Sequence, residues 1–379
     1  MARKKLFDFR AAFERLEGRD LMAADLSALY RSTHLDIAWT GSDGTTVSQL
    51  VGTTITGVAI YGVNHNTTPF VGPLNPASTP APKPDWFDLN ISDSALRNLV
   101  RQDVNRDHVL TRTDMLSIFV EVEQDGKVTS NEFTDLKHVV GNTTYYVGID
   151  YVEVLASDVV NGNVANAHYL GSTLGNLSAG ASSSQLVKLV DKWFYGEDHP
   201  AVTAGWGLTY QTANGSLFPH TPTYTDVRQG VIGDCYLLAS LGEAAIINPK
   251  LITNMFIVNG DGTYTVRFYH NNVADYVTVD SQLPATASGM YLYADLGQNI
   301  HTAGTPLWVA LAEKAYAQMD ESGWLRADVG DMGHNSYSAL SSGYMFDALH
   351  QITAQKTGYY AVDKNEFTSL YSAGKLITF

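Results

Sequence analysis

The chain has 379 residues, and at roughly 150 residues per domain this length predicts two or three units. Its 24 Lys and Arg stand against 39 Asp and Glu, a net charge of −15, which disfavours nucleic-acid and anionic-membrane partners and suits cations such as calcium. No run of 18 apolar residues is present, which excludes a spanning helix, and the single cysteine, Cys235, excludes an intrachain disulfide.

At the N-terminus, Arg3, Lys4 and Lys5 have no apolar stretch behind them, unlike an ordinary secretory signal peptide. The run FERLEGRDLMA, Phe13 to Ala23, resembles short N-terminal tags on large exported bacterial proteins and reads equally as a charged amphipathic helix, so residues 1–25 are a tag or tail and a cytoplasmic location stays open. Residues 26–68 are Thr- and Val-rich and broken by Gly, which predicts a short β-rich segment. Six prolines between Pro69 and Pro84 mark a linker over 69–85. Residues 86–140 read as a helical, loop-rich module. The connector over 141–205 is expected to hold a strand at Tyr145 to Leu155, a loose Gly/Ser/Ala-rich stretch at 171–184, and an amphipathic helix carrying Leu186, Leu189, Val190 and Trp193.

From residue 206 to 379 the pattern is helix, sheet, helix, an α+β domain. Asp234 is placed to cap a helix with Leu237, Leu238, Leu241 and Ala245 on its apolar face, ending near Asn248-Pro249. GTYTVRFYHNNVADYVTVD alternates polar and apolar residues around a turn at Asn271-Asn272 and predicts a hairpin. A further helix runs from about Pro306 to Met319.

Cys235 falls in the first turn of the first of these helices, where unpaired N–H groups and the helix dipole favour the thiolate that a nucleophilic cysteine requires. Gly230 and Gly233 permit a tight turn before it. Gln229, six residues upstream, can bring its amide back to form an oxyanion hole with the Cys235 N–H.

The whole run QGVIGDCYLLASL, Gln229 to Leu241, resembles the nucleophile-bearing turn and helix of the calpain family of cysteine proteases. LWVALAEKAY (Leu307 to Tyr316), NSYSAL (Asn335 to Leu340) and, more loosely, VTVDSQLP (Val277 to Pro284) match the same family in order. The resemblance implies a papain/calpain-like core, its N-terminal helical part and the start of its β part, acting on protein or peptide substrates. By the same resemblance Cys235 is the nucleophile, Gln229 the oxyanion donor, and Asp226 and Glu313 match calcium-binding positions. The family's catalytic His and Asn contexts are absent: His270, His301, His334 and His350 follow Cys235, and none has the expected neighbours. In papain-like chains these residues lie roughly 130–150 positions after the cysteine, so the chain reads as the first half to two-thirds of such a core, inactive or nearly so alone.

Upstream, Asp103, Asn105, Asp107, Thr111 and Asp114 are spaced as ligands 1, 3, 5, 9 and 12 of a calcium loop, with Leu110 at the buried position 8 and His108 replacing the turn glycine. A weaker second loop spans Glu121 to Glu132, with Glu123, Asp125, Gly126 at the turn position, Val128 and Thr129. The loops start 18 residues apart, so one helix, roughly Arg112 to Glu123, must serve both, and the usual face-to-face pair cannot form unless it breaks. The chain is therefore expected to be a calcium-dependent cysteine endopeptidase core behind an EF-hand-like helical module. The alternative is a calcium-binding interaction protein on a non-catalytic calpain-like scaffold.

Overall fold

The computed structural model describes residues 39–40, 46–47, 83–294, 297–325, 333–359 and 363–377. The chain divides into two units, Met1–Thr79 and Pro80–Phe379. In the first, the described residues form one antiparallel ladder, β1 (Trp39–Thr40) with β2 (Thr46–Val47). The N-terminal tag, most of the β-rich segment and most of the Pro-rich linker lie outside the described residues.

The second unit has two hydrophobic cores. The first is helical: α1 (Trp86–Asn90), α2 (Ser94–Asp107), α3 (Arg112–Glu123), α4 (Ser130–Val140), α5 (Asp150–Val160) and α6 (Ser183–Val190), with a short ladder of β3 (His168–Tyr169) and β4 (Ser172–Thr173) between α5 and α6. Side-chain caps start all of these helices but α5. Asp93 accepts from Leu96 N, Ser182 from Gln185 N, and Thr111/Asp114 and Thr129/Glu132 close reciprocal capping boxes. Contrary to the expected strand at Tyr145 to Leu155, this stretch leads into α5. Val152, Leu155, Ala156 and Val159 are all buried, and a spacing of three and four residues gathers them on one helical face. Nor is the stretch 171–184 loose, since Leu177 and Ala181 belong to the same core as Val100, Phe119 and Leu136.

The second core begins after a π turn, Asp191–Tyr195, which ends at Gly196. Gly196 has φ +65°, and a Cβ there would lie 2.5 Å from Val279 Cα, so glycine lets the chain press against the sheet. The sheet is β6 (Phe256–Val258), β7 (Thr263–His270) and β8 (Val273–Asp280), all antiparallel, beside a separate pair of β5 (Thr209–Thr212) and β9 (Gln282–Ala285). His270 pairs with Val273, and Asn271 and Asn272 both have positive φ, the two-residue turn expected from Asn-Asn. The helices are α7 (Cys235–Ile247), α8 (Pro249–Thr253), α9 (Trp308–Met319), α10 (Met345–Thr353) and α11 (Lys364–Ser372). Every residue of α9 is buried, which places it at the centre of this core.

The two cores share one seam. Tyr276 of β8 packs into the helical core and donates to Asp150 Oδ2 at 2.9 Å, and Arg112 of α3 reaches Asp261 at 2.7 Å and Phe194 O at 2.7 Å. Lys192 joins Asp198 and, at 2.6 Å, Glu321, all three being buried. Among the described residues no helix is long and apolar enough to cross a membrane.

Candidate active site

The turn before α7 is held by its neighbours as well as by its own sequence. Val231 N donates to Leu292 O at 3.1 Å and Ser342 N to Gly233 O at 3.0 Å. A Cβ on Gly230 would lie 2.1 Å from Tyr293 O, so only glycine lets this turn lie against that strand-like segment. Cys235 is the first residue of α7 and is exposed. Asp234 occupies the N-cap position, but its side chain makes no cap bond, contrary to expectation. It is fully buried, and its Oδ1 accepts from Gln229 Nε2 at 2.9 Å. The N–H groups of the first turn are thereby left without a competing carboxylate beside the thiol.

Gln229 lies on the same turn, as the spacing predicted. Its amide is turned inward, with Nε2 donating to Asp234 Oδ1 and, at 2.6 Å, to Ile232 O. An NH₂ group carries two hydrogens, so both are engaged in this conformation and one must be released before Gln229 can serve an oxyanion.

Asp226 and Glu313, which match calcium-binding positions by resemblance, are each engaged by other groups of the domain. Asp226 accepts from Thr223 N at 3.0 Å and Trp308 Nε1 at 2.9 Å, with His220 at 3.5 Å, and so closes its own turn. Glu313 is fully buried in α9, where Oε2 accepts from Tyr291 Oη at 3.0 Å and Ala294 N at 2.9 Å. Burial first, and then the charge of Asp234, push its carboxyl well above the usual range. Asp226 and Glu313 share no hydrogen-bond partner, and among the described residues no three His, Cys, Asp or Glu side chains form a metal-binding group. The signal for Glu313 was in the sequence: LWVALAEKAY is apolar around both Glu313 and Lys314, which points to charges inside a buried helix rather than on a surface.

Three histidines after Cys235 are engaged elsewhere. His270 stacks on Trp324 with ring centroids 4.7 Å apart, His301 bonds Gln211 at 3.0 Å, and His350 bonds Gln355 O at 2.7 Å.

The calpain family cysteine protease model matches residues 198–375. Residues 198–375 belong to the calpain family. The calpain domain is 28% identical over 167 residues to Calpain clp-4 of Caenorhabditis elegans, covering 42% of this chain and 20% of that protein. It is 33% identical over 140 residues to the calpain-type cysteine protease DEK1 of Zea mays (36% and 6%), and 30% identical over 148 residues to the Calpain-2 catalytic subunit of Homo sapiens (38% and 18%). The chain thus spans a fifth or less of the length of these curated relatives.

In the helical unit, Asp103 and Asp107 lie in the last turns of α2, and His108 takes positive φ at the turn position. Asp114 Oδ2 accepts from Thr111 N at 2.8 Å and Thr111 Oγ1 at 2.7 Å, and Asn105 is exposed. Asp103, Asp107 and Asp114 all gather around Arg106, at 3.8, 3.7 and 2.8 Å. Asp103 Oδ2 is buried with no hydrogen-bond partner, and burial, with the charge of Asp114 adding, pushes this carboxyl up to about 6. In the second loop Glu132 accepts from Thr129 N at 2.7 Å and Asp125 is exposed, so the structure does not gather these two. Helix α3 is unbroken, and the two loops pair with other segments instead of each other: Leu110 N donates to Tyr145 O and Val128 N to Ala181 O, each at 2.8 Å.

Proposed function

We propose that the calpain domain is the nucleophile-bearing part of a papain-like cysteine endopeptidase acting on protein or peptide substrates. The observation that carries this reading is the exposed Cys235 at the first residue of α7, beside an N-cap carboxylate that is turned away from the helix. In the reaction, the Cys235 thiolate attacks the scissile carbonyl carbon. The carbonyl oxygen becomes an oxyanion at the Cys235 N–H and the Gln229 amide, and collapse breaks the C–N bond and leaves a thioester on Sγ. Protonating the leaving amine requires an imidazole, and no histidine of this chain stands in the family's context. An activated ester has a leaving group that departs without that proton, so it isolates the part of the chemistry this chain carries.

Incubation with p-nitrophenyl acetate should release one equivalent of p-nitrophenol in a burst, with the acetyl group mapped to Cys235. Cys235→Ala should abolish the burst, and Gln229→Ala should slow it by about 10²–10³-fold. Acetylation confined to lysines would sink the protease reading and favour the calcium-binding interaction protein.

Calcium control by the helical unit is the second part of this proposal. Its support is the gathering of Asp103, Asp107 and Asp114 around one cation, the guanidinium of Arg106, whose side chain is 56% exposed and free to swing out. When bound, calcium would supply that positive charge to the same three carboxylates, with Asn105 and Thr111 on the loop. Calorimetric titration should show binding that is lost in Asp103→Ala. An identical isotherm in the variant would remove the loop.

A further inference from the structure

Helices α3 and α6 form a groove that neither the acyl-transfer chemistry nor the loop from Asp103 to Asp114 uses. α6 begins where α3 ends: Ser183 Oγ donates to Glu123 O at 2.7 Å and Ser183 N to Gly126 O at 3.1 Å. At the other end Arg112, the first residue of α3, donates to Phe194 O at 2.7 Å and lies over the ring of Tyr195. The two helices therefore run antiparallel. Leu116 and Val120, one turn apart on α3, face Val187 and Val190 of α6 across a space of about 100 Å³ that Tyr195 also lines.

Val120 is 56% exposed and Val187 36%. Single exposed valines are ordinary on a protein surface, but these two stand on opposite walls of one groove and make an apolar strip open to water. The rim of the strip is acidic. Glu123 follows Val120 by three residues, Asp191 follows Val187 by four, and both line the same groove half-buried. Among the described residues neither side chain has a hydrogen bond or an ion pair. Of the cations on these elements, Lys192 is committed to Asp198 and Glu321, Arg112 is committed to Asp261, and Lys188 pairs with neither acid.

Size and charge narrow the occupant. A space of about 100 Å³ is about a third of the smallest usual small-molecule pocket, so it takes side chains of a segment lying across it rather than an enclosed ligand. Two carboxylates without a cation, in a chain of net charge −15, repel a second copy of the chain and attract basic groups. We propose that the groove between α3 and α6 docks a segment of a partner protein in which aliphatic side chains are flanked by Lys or Arg. The aliphatic groups lie between the valines and the basic groups reach Glu123 and Asp191. This site is independent of the protease reading, since it uses neither Cys235 nor calcium.

The test uses the full chain with ¹³C-labelled Leu and Val methyl groups, the Val120 and Val187 resonances being identified by their loss in Val120→Ala and Val187→Ala. The ligand is the peptide acetyl-Leu-Arg-Leu-Leu-Arg-amide, added at neutral pH in EGTA so that no calcium competes for Glu123. It should move both sets of resonances to saturation. The Glu123→Gln/Asp191→Asn double variant should bind it about tenfold more weakly. Val120→Ser/Val187→Ser, which changes only exposed side chains, should weaken it by about as much, and so should serine in place of each leucine of the peptide. Unmoved Val120 and Val187 resonances, unchanged affinity in Glu123→Gln/Asp191→Asn, or a serine peptide that binds as well as the leucine one would overturn the proposal. The same resonances moving when the protein alone is concentrated would assign the groove to a second copy and overturn it too.

Discussion

The helical unit and the calpain domain differ in how they satisfy most of their polar groups, although α5 of the first has no side-chain cap and α8 and α11 of the second do. In the helical unit, carboxylates and hydroxyls cap the helices they begin, within three residues, as in Thr111/Asp114 and Thr129/Glu132. In the calpain domain α7, α9 and α10 have no side-chain cap at all. Its titratable groups are buried against residues far away in the chain: Glu313 on Tyr291 and Ala294 N, Lys314 on Asp280 and Gln282 O, and Lys192 at the seam on Asp198 and Glu321. Local capping stabilises a helix independently of what it packs on. Long-range pairing makes the charge depend on the whole domain, and at α7 it leaves the helix N-terminus open beside Cys235.

Breaking a long-range group should therefore cost most. Lys192→Met strands the buried Asp198 and Glu321 carboxylates and should lower unfolding stability by about 3–5 kcal/mol in urea titration. A loss below 1 kcal/mol would show that the seam tolerates local rearrangement and would erase the contrast. Removing a local cap should cost less. Thr129→Ala removes the hydroxyl that accepts from Glu132 N at 3.3 Å, and about 1 kcal/mol of stability should go with it, read by the same titration.

The smallest effect is a change of slope with pH. Burial, with the charge of Glu197 adding, pushes the Asp191 carboxyl up from its ordinary 3.8 to about 6. A raised acid holds its proton in the folded state where the unfolded chain has already lost it, so stability falls as pH rises from about 4 to about 6. Asp191→Asn should flatten the urea midpoint over that interval. An unchanged slope would assign the pH dependence to other carboxyls.

Much of this molecule was legible locally. The Asn271-Asn272 turn, the ends of α7 near Asn248, the unbroken Arg112–Glu123 helix and the placing of Cys235 and Gln229 on one turn all follow from neighbours in sequence, because turn chemistry, periodicity and capping act over a few residues. The misread strand at Tyr145 to Leu155 shows the limit: β-favouring Tyr and Val there are overruled by a buried helical face.

The run from Gln229 to Leu241 by itself pointed to the family whose model matches residues 198–375, and to the place of Cys235 at a helix start with Gln229 on the same turn. Only the tertiary structure decided where the polar atoms point: Asp234 away from the helix it precedes, Gln229 inward, Glu313 onto Tyr291 and Ala294 N. The physical reason is burial. In water each of these groups would be solvated separately, whereas inside the core an unpaired carboxyl or amide is costly, and partners are set by which segments the fold brings together.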